Sequence, residues 1–190
     1  MTLGFDLVGE LERLGAVLDG HFLLSSGRHS NRFIQKFRIL ERPSLLEPIA
    51  RALAGRFAEQ RPTVVVSAAV GGIVLGYEVA RALGARAIFV EKERGVPVLR
   101  RGFTLSPDDR VLVVEDVITT GRSMREVVDI VRAAGAKVVG LGAIVRRGPV
   151  ADLGADTFAL LDLPLESYEP SACPQCGAGI PISDPGSRRA

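Results

Sequence analysis

Beyond residue 60 the chain alternates between short, continuous apolar runs and helical patterns. The runs are 63–67 (TVVVS), 86–90 (RAIFV), 111–114 (VLVV), 137–145 and 157–161. They are rich in β-branched residues and lack polar alternation, so both faces of each strand must be covered. A helical pattern over 73–83 follows the first run and stops at Gly84. Another, from Ser123 to about Ala134 with Ser123 and Glu126 as its capping box, follows the third and stops at Gly135. Strands of this kind, alternating with helices, imply an α/β fold with a mainly parallel five-stranded sheet flanked by helices. Ligands bind such sheets beyond the carboxyl ends of the strands. That selects the loops after Ser67, Val90, Val114 and Val145.

Two segments stand outside the alternation. In residues 1–60, Leu7, Leu11 and Leu14 lie at helical spacing over 5–14, and Asp19-Gly20 predicts a hairpin turn, with Phe33, Ile34 and Gln35 in the second strand. Ser44 with Glu47 forms a capping box for a helix over 44–59, with Pro48 near its first turn. The tail from Leu163 is punctuated by Pro164, Pro170, Pro174, Pro181 and Pro185. The expected organisation is a single domain, 1–190. Residues 1–60 and 163–190 form a cap, or hood, over the carboxyl edge of a core spanning 61–162. Between the second and third strands lies 91–103 (EKERGVPVLRRGF), whose apolar centre and charged ends suit a hairpin or a mobile lid.

Composition narrows the function classes. At 190 residues, with 47% apolar and 24% charged residues, the chain suits one soluble globular domain. A net charge of +2 is too mild to argue for nucleic acid. No run of about 18 uncharged apolar residues suggests a membrane span. Asp6, Glu10 and Glu12 do not fit a signal peptide, so a cytoplasmic location is expected. The cysteines are Cys173 and Cys176, too few for a disulfide framework. Their C-P-Q-C motif reads first as a tight turn, because a structural zinc needs four ligands and no second pair or nearby histidine follows; a metal held by one such pair from each of two chains is the alternative.

The chemistry concentrates in 111–123 (VLVVEDVITTGRS). Adjacent carboxylates just past a buried strand repel one another and resist desolvation unless something binds them. Sugar hydroxyls and a divalent cation are the obvious candidates. Thr119, Thr120, Gly121, Arg122 and Ser123 then offer hydroxyls and backbone N–H groups at a helix start, a setting for phosphate. Together these describe a ribose 5-phosphate site. There is no G-x-x-x-x-G-K-[ST] and no G-x-G-x-x-G after a strand.

The string VVEDVITTGRS resembles the phosphoribosyl diphosphate (PRPP) motif of the type I phosphoribosyltransferases. Within them, the chain is similar to the family of orotate phosphoribosyltransferases. HFLLSSGRHSNRF at 21–33 matches that family's N-terminal signature, FVEKE at 89–93 the start of its catalytic loop, and IVRRG at 144–148 the place of a base-binding arginine. The resemblance implies the type I phosphoribosyltransferase fold and a Mg²⁺-dependent transfer of ribose 5-phosphate from PRPP to orotate in pyrimidine biosynthesis. It also implies a homodimer. Glu115 and Asp116 would hold the ribose hydroxyls, directly and through Mg²⁺. Val117 and Ile118 would belong to the PRPP motif, and Thr119, Thr120, Gly121, Arg122 and Ser123 would wrap the 5′-phosphate. Ala68, Ala69, Val70, Gly71 and Gly72 would form the pyrophosphate loop. Lys92 would act across the dimer on the neighbour's pyrophosphate. Arg147, with Arg146 as its neighbouring candidate, would pair with the orotate carboxylate. Thr119, Ser25, Ser26, Gly27 and Phe33 would border the pyrimidine, and His21 and His29 read first as structural.

The sequence departs from many members, which carry lysines where Ser25 and Gly71 stand and an arginine where Glu91 stands. Arg94, Arg100 and Arg101 are the basic residues that could restore charge to the loop. Rival readings are a purine phosphoribosyltransferase, which shares the PRPP motif, and a PRPP-sensing regulatory protein that binds nucleic acid.

Overall fold

The computed structural model describes residues 5–24, 26–183 and 185. Helix α1 (Leu7–Arg13) opens at Asp6, whose Oδ1 accepts from Val8 N at 3.0 Å. Strands β1 (Val17–Leu23) and β2 (His29–Ile34) form an antiparallel ribbon. Asp19 and Gly20 do not turn the chain. They lie inside β1, where the register shifts between Asp19 and Phe22. The Phe22 ring folds over Gly20 so closely that a Cβ there would meet it at 2.8 Å. The glycine admits an aromatic ring, and the turn falls at 24–28, where Gly27 has φ +82°.

Helices α2 (Phe37–Leu40) and α3 (Pro43–Phe57) follow. Pro43 takes the first helical position, where its fixed φ suits the helix and its missing N–H costs nothing. Ser44 therefore lies inside the helix, the expected capping box does not form, and Glu47 pairs with Arg51 at 2.9 Å. Pro48 also sits in the helix interior, past the first turn, where it forfeits one backbone hydrogen bond.

The core alternates β3 (Val64–Ala68), α4 (Gly71–Leu83), β4 (Arg86–Glu93), β5 (Val96–Leu99), β6 (Arg110–Ile118), α5 (Arg122–Ala133), β7 (Lys137–Arg146) and β8 (Thr157–Asp162). The sheet order is β5-β4-β3-β6-β7-β8, and all neighbours are parallel except β4 and β5. The five expected parallel strands are thus joined by a sixth, antiparallel one. It arises because Arg94 and Gly95 adopt φ +51° and +83°, which closes a two-residue hairpin. Residues 91–103 begin as this hairpin, with Lys92 opposite Pro97.

Period-two alternation divides the core into two layers. Val65, Leu112 and Val114 pack with α1, α3 and α4 on one face. Val64, Val66, Val111 and Val113 pack with Met124, Val127, Val128 and Val131 of α5 on the other. Gly140 on β7 makes room for the fully buried Phe57, and a Cβ at Gly140 would meet the ring at 2.4 Å. None of the helices among the described residues is long and apolar enough to cross a membrane.

The tail returns to the ribbon. His29 and Tyr168 exchange two backbone hydrogen bonds of 2.8 Å, Ser30 Oγ donates to Glu166 O at 2.7 Å, and Ser183 N donates to His21 O at 2.6 Å. Its only α-helix among the described residues is the single turn α6 (Pro174–Gly177).

Candidate active site

A cleft of about 450 Å³ lies at the carboxyl ends of β3 and β6. Glu115, Asp116, Val117, Thr119 and Ser123 form one wall, and Val70 and Gly71 another. The end of β2 and the residues after it contribute Phe33, Lys36 and Phe37. The ribbon turn contributes Leu23, Leu24 and Ser26, and Arg147 enters from beyond β7. Ser25 lies outside the described residues.

Strand β6 runs four residues further than its apolar run, through both acids to Ile118. The carboxylates therefore belong to the strand rather than following it. Alternation sends them to opposite faces. Glu115 continues the row of Val111 and Val113 toward α5, where Ser123 Oγ donates to its Oε2 at 2.7 Å. Asp116 continues the row of Leu112 and Val114 toward the start of α4. There Lys36 Nζ donates to Oδ1 at 3.0 Å and lies 2.8 Å from Oδ2, while Val117 N donates to Oδ1 at 2.7 Å. Both acids are buried. Burial, and then the neighbouring Asp116 charge, raise Glu115 from its ordinary 4.5 to about 7, opposed by the Ser123 hydrogen bond and by Lys36.

Serving Glu115 also explains why Ser123 does not cap α5 as the sequence suggested. Gly121, at φ +78°, takes the N-cap position, with no side chain bonded to the first-turn amides. Glu126, the other half of the expected box, pairs instead with Lys92 at 3.0 Å. Helix α4 likewise begins at Val70 without a side-chain cap. Two helix N-termini thus reach one cleft with their orphan N–H groups free of side-chain acceptors, a setting for two anionic groups.

Arg147 is 9% exposed and lines the cleft. Its Nη2 lies 3.4 Å from both Ser30 Oγ and Arg32 O, and no carboxylate among the described residues pairs with it. Burial pulls its pKa below the ordinary value. Arg146 points elsewhere, into an ion pair with Asp162 at 2.5 Å.

Other candidates lie outside the cleft wall. Ile118 is core, Gly121 is buried, and Thr120 and Arg122 are exposed. Ala68, Ala69, Gly72 and Gly27 flank the lining residues, with Gly72 close against Ser67. Lys92 sits on the hairpin, where Arg100 pairs with Glu93 at 3.0 Å and Arg101 with Glu91 at 3.1 Å.

Lys36 escaped the sequence reading. Its one local signal is a basic residue just after an apolar strand end, and its partner is 80 residues away. A Cβ at Gly71 would fall 2.0 Å from Asp116 Oδ2 and 2.8 Å from Lys36 Nζ, so the Asp116–Lys36 pair fills the space a side chain at 71 would take. The tail motif also needs correction. Cys173 and Cys176 do form a turn, but not an isolated one, because His21 and His29 of the ribbon face them. These histidines precede the pair by 152 and 147 residues, so no local spacing shows them.

The family described as phosphoribosyl transferase domain matches residues 38–152. The orotate phosphoribosyltransferase of Pelotomaculum thermopropionicum is 52% identical over 185 residues, covering 97% of each chain. Among solved structures, the orotate phosphoribosyltransferase of Aeropyrum pernix is 28% identical with a TM-score of 0.71, covering 83% of this chain and 94% of that one. That of Mycobacterium tuberculosis H37Rv, in complex with Fe(III) dicitrate, is 29% identical with a TM-score of 0.69 and the same coverage.

Proposed function

The chain belongs to the phosphoribosyltransferase family, and from that premise we propose that it transfers ribose 5-phosphate from PRPP to orotate, giving orotidine 5′-monophosphate and pyrophosphate. The observation that carries the choice of base is Arg147. A buried guanidinium that lines the cleft, has Ser30 Oγ and Arg32 O as its hydrogen-bond neighbours and pairs with no carboxylate among the described residues favours a planar, anionic partner. The orotate carboxylate supplies one. Phe33, Ser26 and Thr119 border the ring, with Gly27 beside Ser26 in the same turn.

The donor occupies the other end. Glu115 and Asp116 accept the ribose hydroxyls. Past Val117 and Ile118 at the end of β6, Thr119, Thr120 and Gly121 with Arg122 and Ser123 in the first turn of α5 receive the 5′-phosphate. The segment Ala68, Ala69, Val70, Gly71 and Gly72 at the start of α4 receives the pyrophosphate. Orotate N1 attacks ribose C1′ as the bond to pyrophosphate breaks, so positive charge grows on the ring and negative charge on the leaving group. The protein positions both reactants, sets two carboxylates beside the developing cation, and places helix N-termini and Lys36 near the developing anions.

The residues also fit Mg²⁺. Two buried carboxylates are offset by one ammonium, which leaves negative oxygen donors for a hard divalent ion. Glu115 and Asp116 would hold it together with PRPP, and when bound it neutralises charge on the departing pyrophosphate.

The active form in this reading is a homodimer. Val70, Val74 and Tyr77 form an exposed apolar stripe at spacings of four and three along the start of α4. Lys92, on the projecting hairpin, acts on the neighbour's pyrophosphate. A cytoplasmic location is part of this reading, supported by substrates too highly charged to cross a membrane unaided.

Steady-state kinetics of Arg147→Gln test the base assignment. Losing one member of a buried charge pair costs about 2 kcal/mol or more, so KM for orotate should rise roughly thirtyfold or more while KM for PRPP holds. An unchanged orotate KM contradicts the assignment.

A further inference from the structure

We infer that His21, His29, Cys173 and Cys176 form a structural site for a soft, four-coordinate divalent cation, zinc above all, which clasps the C-terminal tail to the N-terminal ribbon. One ligand atom from each residue lies within 4.8 Å of all the others. His21 Nε2 is 2.9 Å from His29 Nδ1, Cys173 Sγ is 3.5 Å from His21 Nε2, and Cys176 Sγ is 3.7 Å from His21 Nε2 and 3.3 Å from His29 Nδ1. A tetrahedral zinc with bonds of about 2.0–2.3 Å sets its ligand atoms roughly 3.3–3.8 Å apart. Small side-chain rotations therefore close the set.

The donor chemistry is selective. Two thiolates and two imidazoles make the Cys₂His₂ set of structural zinc, and the group contains no carboxylate that would suit Mg²⁺. The two cysteines have the C-x₂-C spacing of a zinc knuckle, folded into the single turn of α6. His21, His29 and Cys173 are buried, so the three sit in a dry setting.

The surroundings orient these ligands. His21 Nδ1 lies 2.7 Å from Ile180 O. Donation of that N–H to the carbonyl leaves the Nε2 lone pair directed at the two sulfurs, the outer-shell arrangement that metal-binding histidines use. Gln175 Nε2 donates to Gly20 O at 2.7 Å, tying the knuckle to the residue before His21. His29 is held through its backbone exchange with Tyr168. The metal would thus join segments 152 residues apart, beside the ribbon whose turn lines the cleft. Binding releases the two thiol protons to solvent.

The test uses the full-length protein without a polyhistidine tag, purified in Mg²⁺ buffer after growth with added zinc, and does not involve turnover. Elemental analysis is expected to find one zinc per chain. Stripping that zinc should lower the melting temperature, and zinc but not Mg²⁺ should restore it. Protein reloaded with Co²⁺ should show the visible absorption and thiolate charge-transfer bands of a tetrahedral site. Cys176→Ser and His29→Ala should each bring the metal content close to zero. A wild-type protein that holds no zinc, gives no cobalt bands and has two freely titrating thiols at an unchanged melting temperature overturns the inference.

Discussion

Glu115 concentrates the tension of the site in one residue. Its carboxylate must be charged to receive sugar hydroxyls, yet burial and Asp116 favour the protonated form and raise it to about 7. An acid with a raised folded-state value contributes stability that is complete below its unfolded value and is lost as pH rises through the folded one. For Glu115 that window runs from 4.5 to about 7, and the difference corresponds to about 3 kcal/mol. Ligand-free wild type should therefore lose roughly 2–3 kcal/mol more than Glu115→Gln between pH 5 and pH 8. Denaturant unfolding of both at the two pH values measures this, and parallel pH dependence contradicts the raised value. The acids were legible in the sequence because they sit on one strand, next to a local Thr/Gly/Ser turn. Lys36, which balances Asp116 from 80 residues away, was not.

At the level of elements, the parallel strands were readable because each is a continuous apolar run, and continuity is a local property. Strand β5 was harder to see, since it has four residues, one of them Pro97. Both capping boxes failed for physical reasons. Pro43 starts α3 one residue early, and Ser123 is drawn to Glu115 instead of an amide. Asp19-Gly20 misled because the glycine is needed for the Phe22 ring. Small residues serve the same purpose where α3 meets β7. A methyl at Gly140 would overlap the buried Phe57 ring, and overpacking of this kind costs roughly 1–3 kcal/mol. Gly140→Ala should lower the denaturant midpoint accordingly, whereas an unchanged midpoint would mean that α3 does not pack there as described.

On the scale of the whole molecule, the helix N-termini, the acids and the ribbon each belong to a different stretch of chain, and the parallel sheet brings them to one edge. The fold class followed from the sequence pattern, while the choice of base depended on a family resemblance and on a guanidinium whose surroundings only the fold creates. The proposed homodimer adds a further test. Neither the Lys92→Ala homodimer nor a Glu115→Gln/Asp116→Asn homodimer should turn over appreciably. Mixed dimers of the two should recover activity, because one site then combines an intact acid pair with the partner's Lys92. No recovery on mixing argues against action across the interface. The most direct measurement is of acceptor choice: wild-type protein with PRPP and Mg²⁺ is offered orotate, adenine, hypoxanthine or guanine, and pyrophosphate release is followed. Release with orotate and with none of the purines is the expected result, and release with a purine but not with orotate would contradict it.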